Sequence, residues 1–126
     1  MSKIMGIGTD MCAVSRMESA IQKAHFFERV FLERERAYLE KKENARAQSA
    51  AAMFAAKEAV SKALGTGFIR GIMPWTIEVT HDEAGKPAIA LHGAAKEKME
   101  ILGGETVHLS LTHEGDMAMA FVVIEG

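Results

Sequence analysis

The chain has 126 residues, 48% of them hydrophobic and 25% charged, with a formal net charge of -2 and a pI near 6.2. That length suits one modest core, and the composition excludes charge-driven disorder and a global basic field that would draw the protein onto nucleic acid. A single cysteine, Cys12, excludes an intrachain disulfide or a cysteine metal cage, and neither a signal peptide nor a run of about 18 apolar residues is present, so one soluble, cytoplasmic domain over residues 1–126 without membrane or nucleic-acid partners is expected.

Ile4 to Met11 reads as a short strand, because Met5, Ile7 and Met11 alternate with small or polar positions. Its other face carries Gly6, Gly8 and then Asp10, almost bare of side-chain bulk, so another backbone or a ligand can come close. Ser15 with Glu18 three residues on matches a capping box, and Val14, Met17 and Ile21 at helical spacing predict a first helix. Phe26, Phe27, Val30 and Phe31 form a second apolar patch. The alternating charges Glu33-Arg34-Glu35-Arg36 then suit a solvated surface helix up to about Asn44.

From Ala45 to Leu64 there is no Gly or Pro, and nine of the twenty residues are Ala, the strongest helix former. Gly65-Thr66-Gly67 closes this long helix, glycine being suited to the left-handed position after a helix. Trp75 to Thr80 and Pro87 to Leu91 read as the strands of a hairpin around the Asp82-to-Pro87 turn. Leu91, Ala95, Met99 and Leu102 then predict a helix closed by Gly103-Gly104. Val107 to His113 and Met117 to Ile124 form a last hairpin through Glu114-Gly115-Asp116. The order β, helical block, β, β, α, β, β implies an α+β domain.

Several residues suggest chemistry. Glu58 and Lys62 lie four apart on one face of the long helix, while Met53, Ala56, Val60 and Ala63 mark another. On spacing alone this is equally a solvated ion pair. Asp10 on its glycine-lined face is suited to Mg2+, which prefers one or two carboxylates together with substrate phosphate oxygens, although Asp at a strand end also serves as a turn or helix cap. Gly65 to Gly71 can wrap a phosphate with its amides, but it lacks Walker spacing and also reads as a helix stop. His113 shares a strand face with Val107, Leu109 and Leu111 and sits at the rim of the core. The histidines at 25, 81, 92 and 108 show no metal-ligand spacing.

Two segments, Gly6-Ile7-Gly8-Thr9-Asp10 followed by Arg16, and Phe54-Ala55-Ala56-Lys57-Glu58-Ala59-Val60-Ser61-Lys62 running on to Gly67, resemble the signatures of the holo-acyl-carrier-protein synthase family. The Gly85-Lys86-Pro87 turn and Ser110-Leu111-Thr112-His113 follow in family order. The resemblance implies the 4'-phosphopantetheinyl transferase fold, a small antiparallel sheet packed with one long helix and shorter helices. It implies Mg2+ on Asp10 and Glu58, and coenzyme A near Lys62, Gly65, Thr66, Gly67, Lys86, Pro87 and His113. Catalysis would fall to Glu58, Lys62 and Asp10. Acyl carrier protein would dock on Arg16, Lys23 and Phe26, and a homotrimer would hold its sites between subunits.

By the same resemblance, a carrier serine attacks the β-phosphate of coenzyme A and adenosine 3',5'-bisphosphate leaves; the group that takes the serine proton stays open. Two departures stand out. Met53 occupies the place where the family usually has Arg, and the first helical region is poorer in basic residues. A non-catalytic nucleotide- or carrier-binding module of the same fold is the alternative, and a broader transferase of two fused halves is disfavoured by the chain length.

Overall fold

The computed structural model describes residues 2–126. In chain order the elements are β1 (Ile4–Ala13), α1 (Val14–Ala20), α2 (Ala24–Val30), α3 (Glu33–Glu40), α4 (Arg46–Ala63), β2 (Ile77–His81), β3 (Pro87–Leu91), α5 (Gly93–Leu102), β4 (Thr106–Glu114) and β5 (Met117–Glu125). The architecture is α+β, with an antiparallel sheet in the order β1-β5-β4 and a separate β2-β3 hairpin.

The alanine-rich α4 forms because its small side chains lose little freedom in a helix, and it lies across the inner face of the three-stranded sheet. On the central strand β5, Ala118, Ala120, Val122 and Ile124 are fully buried in the core that also holds Ala55, Ala56, Ala59 and Val60 of α4. The bare face of β1 is met by backbone. A Cβ on Gly6 would stand 1.9 Å from the carbonyl oxygen of Ala63, and one on Gly8 2.0 Å from that of Ala59. Glycine therefore sets how near α4 comes to β1. Gly8→Ala is expected to destabilise the fold by about 3 kcal/mol, since helix backbone cannot yield as a flexible side chain would. Thermal melts would check this, and a melting temperature unchanged from wild type would contradict the packing.

Close packing of the glycine face leaves Ile7 and Met11 of β1 outside. Ile7 and Met11 are 62% and 60% exposed, and Phe121, paired with Thr9, is 46% exposed.

Four local expectations are corrected. Ser15 and Glu18 form no capping box: the Ser15 amide and hydroxyl donate to the Asp116 carboxylate at 2.9 and 2.6 Å. Ala13 pairs with Met117, so the β4-β5 turn lies beside the start of α1 and caps it from across the sheet. In the charged run, Glu35 is 1% exposed and turned inward, while Glu33, Arg34 and Ala37 remain outside. Trp75 lies in a 3-10 turn, Pro74–Thr76, because the proline fixes the turn before the strand begins. Leu91 ends β3, and α5 starts only after His92.

Candidate active site

β1 and α4 bring two carboxylates together. Asp10 follows the glycine face of β1, and Glu58 projects from the turn of α4 that those glycines allow to come close. The Glu58 carboxyl is pushed above the usual carboxylate range, first by burial and then by the negative charge of Asp10 and contact with it. Lys62 opposes that shift, yet its ammonium is not paired with Glu58 as helix spacing suggests. It donates to Asp10 Oδ1 at 3.0 Å and to the Thr9 carbonyl at 3.1 Å. The Lys62 side chain is 52% exposed and that of Asp10 only 15%.

Two hard oxygen donors that crowd negative charge, balanced by one half-exposed ammonium, form a donor set suited to Mg2+. The groove around them is lined also by Cys12, Arg16, Phe26 and Phe54. Arg16 and Lys23 line a shallow concavity with Ser15 and Ser19 on the same side of the molecule. Phe26 is held in place by Phe54 and Phe31, at ring-centroid distances of 6.3 and 6.5 Å.

A second cavity takes the remaining side chains. Gln48, Met53, His81, Pro87 and His113 line it, and Tyr38 stacks on His81 at 3.7 Å. His113 is an exposed rim residue whose Nδ1 accepts from Gln48 Nε2 at 3.0 Å. Lys86 is exposed in the adjoining turn, its amide bonded to Asp82 Oδ1 at 2.8 Å. The Gly65, Thr66 and Gly67 amides are occupied: they donate to the carbonyls of Lys62, Ser61 and Ser61 and so close α4, with Gly65 at φ 87°. Those three amides therefore serve the helix stop that the sequence also offered.

Helical phase sets the mean direction of Ala52 and Met53 roughly 170° around α4 from that of Phe54 and Glu58, so the two concavities flank the helix on opposite sides. One chain unites Asp10, Glu58 and Lys62 with Arg16 and Phe26, and separately unites Pro87 with His113. It does not unite the two sets.

Sequence reasoning missed Lys57. Its side chain is fully buried and its ammonium bonds Glu35 Oε1 at 2.8 Å. Burial lowers the Lys57 pKa, and the Glu35 charge acts against that shift. A signal was available, since Lys57 stands four after Met53 and three before Val60, within the apolar stripe of α4.

A family model described as the 4'-phosphopantetheinyl transferase superfamily matches residues 6–122. Over 124 residues the chain is 46% identical to a holo-acyl-carrier-protein synthase of Clostridium tetani, covering 98% of this chain and 97% of that protein. The crystal structure of the synthase from Neisseria meningitidis is similar with a TM-score of 0.86 at 34% identity, covering 98% of this chain and 100% of that one. The synthase from Bacillus anthracis, in complex with coenzyme A (3',5'-ADP), gives a TM-score of 0.81 at 35% identity, covering 98% of this chain and 97% of that one.

Proposed function

Because the chain belongs to the 4'-phosphopantetheinyl transferase superfamily, we propose that it transfers 4'-phosphopantetheine from coenzyme A to a serine of apo acyl carrier protein, with Mg2+ held by Asp10 and Glu58. The observation that carries this reading is the convergence of Asp10 and Glu58 at one groove whose wall includes Arg16 and Phe26, with the Lys62 ammonium bonded to Asp10. The alternative, a binding module without chemistry, has little use for two neighbouring carboxylates at a groove. The chain acts as one domain, since α4 shares its core with both β-sheets.

In the reaction the serine hydroxyl attacks the β-phosphorus of coenzyme A, a new P–O bond forms, the bridging P–O bond breaks, and adenosine 3',5'-bisphosphate leaves. When bound, Mg2+ supplies charge neutralisation at the pyrophosphate oxygens. Lys62 offers the exposed part of its ammonium to a phosphate oxygen while its contact with Asp10 holds it over the groove. Glu58, or a water held beside it, would take the serine proton; burial and the Asp10 charge raise the proton affinity of Glu58 while the cation is absent. The rest is positioning, as is usual at phosphorus.

The acting assembly is a homotrimer with its clefts between chains. Separation of the His113 and Glu58 sets on opposite flanks of α4 supports this, as does the exposed apolar outer face of the sheet. Coenzyme A would then meet Lys62 and the Gly65–Gly67 segment of one chain and Lys86, Pro87 and His113 of another. The lone, half-buried Cys12 suits a cytoplasmic setting, and among the described residues no helix is long and apolar enough to cross a membrane.

Carrier docking falls to Arg16, Lys23 and Phe26, where two exposed cations border an aromatic wall. Arg16→Glu is expected to raise the apparent KM for carrier, more at low salt than at high, because rim charges steer association and are screened over about 10 Å at 0.1 M salt. Coenzyme A affinity should stay unchanged. A weakened coenzyme A titration with the carrier KM intact would move Arg16 to the nucleotide side.

The decisive test is mass spectrometry of an apo carrier mixed with this protein, coenzyme A and Mg2+. The expected result is a phosphopantetheine adduct on the carrier that chelation abolishes. Coenzyme A binding without any adduct on several carriers would favour the binding module.

A further inference from the structure

The buried face of α4 is built from alanines, Ala55, Ala56, Ala59 and Ala63 among them, and rests partly on the glycines of β1. Small side chains on a flat partner define rotation and axial register weakly, because few knobs enter holes. One long polar anchor leaves α4 on another side, toward α3 and β2. Lys57 Nζ donates to Glu35 Oε1 at 2.8 Å, to the Pro74 carbonyl at 2.9 Å and to the Ile77 carbonyl at 2.5 Å, so all three ammonium protons are placed.

Glu35 is equally committed: Oε1 also accepts the Leu32 amide and Oε2 the Val79 amide, each at 2.8 Å. The Phe31 ring lies 5.7 Å from the ammonium. The node thus ties α4 to the start of α3, to the Pro74–Thr76 turn and to β2. A fully buried ion pair contributes little net stability over an apolar replacement, so geometry is the better account of it.

Glu58 is the next residue. One residue of slip along α4 would turn it by roughly 100° and move it by about 1.5 Å, which takes its carboxylate away from Asp10. We propose that the Lys57–Glu35 pair is a positioning device, locking the rotation and register of α4 so that Glu58 meets Asp10 with the separation a divalent cation requires. The proposal rests on the metal reading given above. Lys57 touches neither substrate nor metal in it and acts through Glu58 alone.

The test compares wild type with Lys57→Met/Glu35→Gln, which removes both charges; the glutamine oxygen keeps an acceptor for one of the two amides, and the Pro74 and Ile77 carbonyls lose their Lys57 donor. Mn2+ binding in the presence of coenzyme A, followed by electron paramagnetic resonance, reports the site without turnover. The double variant should melt cooperatively and bind Mn2+ about tenfold more weakly or worse, as for a lost outer-sphere support. Its coenzyme A affinity without metal should match wild type, and its loss of transfer should be largely recovered at saturating Mg2+, a KM effect in place of a kcat effect.

Unchanged Mn2+ affinity in a cooperatively melting double variant overturns the proposal. If the double variant has no cooperative melt, the same titration is read on Lys57→Met alone, which leaves the Glu35 carboxylate its two amide donors from Leu32 and Val79, and unchanged affinity there overturns it equally. Wild type that binds no Mn2+ with coenzyme A would overturn the metal reading itself, and this control separates the two failures.

Discussion

Asp10→Ala and Glu58→Ala are each expected to lower transfer about 10³-fold, because each removes one of the two oxygen donors proposed to hold Mg2+ and with it several kcal/mol of charge stabilisation at the pyrophosphate. The fold should persist. Neither truncation strands a buried donor, since the Lys62 ammonium left behind by Asp10→Ala is 52% exposed and can turn to water. Circular dichroism should therefore stay native while activity is lost. Near wild-type activity of either variant at limiting Mg2+ would place the metal elsewhere.

The same pair sets a pH dependence. Glu58 holds its proton above the usual carboxylate range, through burial first and the Asp10 charge second, so below that raised pKa a proton competes with the cation. Apparent Mg2+ affinity should rise as pH climbs through it and fall on acidification. Without metal the sign for stability is opposite: ionising a carboxyl whose folded pKa is raised costs stability as pH rises through its unfolded value. Asp10→Asn should remove much of the coulombic share of this dependence and leave the share due to burial.

Phe121→Asp combined with Met119→Asp is expected to abolish assembly and activity together. In the outer row of the sheet, Thr9 pairs with Phe121 and Met11 with Met119, and Ile7, Met11 and Phe121 stay 46–62% exposed on the single chain. Contiguous apolar surface of this kind is what a neighbouring subunit covers. Aspartates there remain solvated in the monomer, so its melt should survive while light scattering reports one chain. Transfer should fall about a hundredfold or more, because the proposed cleft between chains would lose its positioning outright. A fully active monomer would refute shared sites.

Much of this molecule was legible from local pattern. The long helix could be read from its alanines and from Gly65, the terminal hairpin from period-two alternation, and the pairing of Asp10 with Glu58 from two motifs whose order matched a family. What failed was local in appearance and tertiary in cause. Ser15 and Glu18 have the spacing of a capping box, but Asp116 arrives across the sheet as a better acceptor for the Ser15 amide and hydroxyl. Glu35 has the neighbours of a solvated helix, but Lys57 and two amides await it inside.

The amino-acid sequence by itself determined which elements form and which chemistry is on offer, because helix propensity, alternation and residue type act over a few neighbours. Only the tertiary structure decided where those groups point. The glycines of β1 face a helix backbone, which turns Ile7 and Met11 outward. Lys62 reaches Asp10 in preference to its helical neighbour Glu58. His113 and Glu58 fall on opposite flanks of α4. Each of these outcomes depends on which surfaces of distant segments fit together and which polar groups find partners once water is excluded, and neither is encoded within any single stretch of chain.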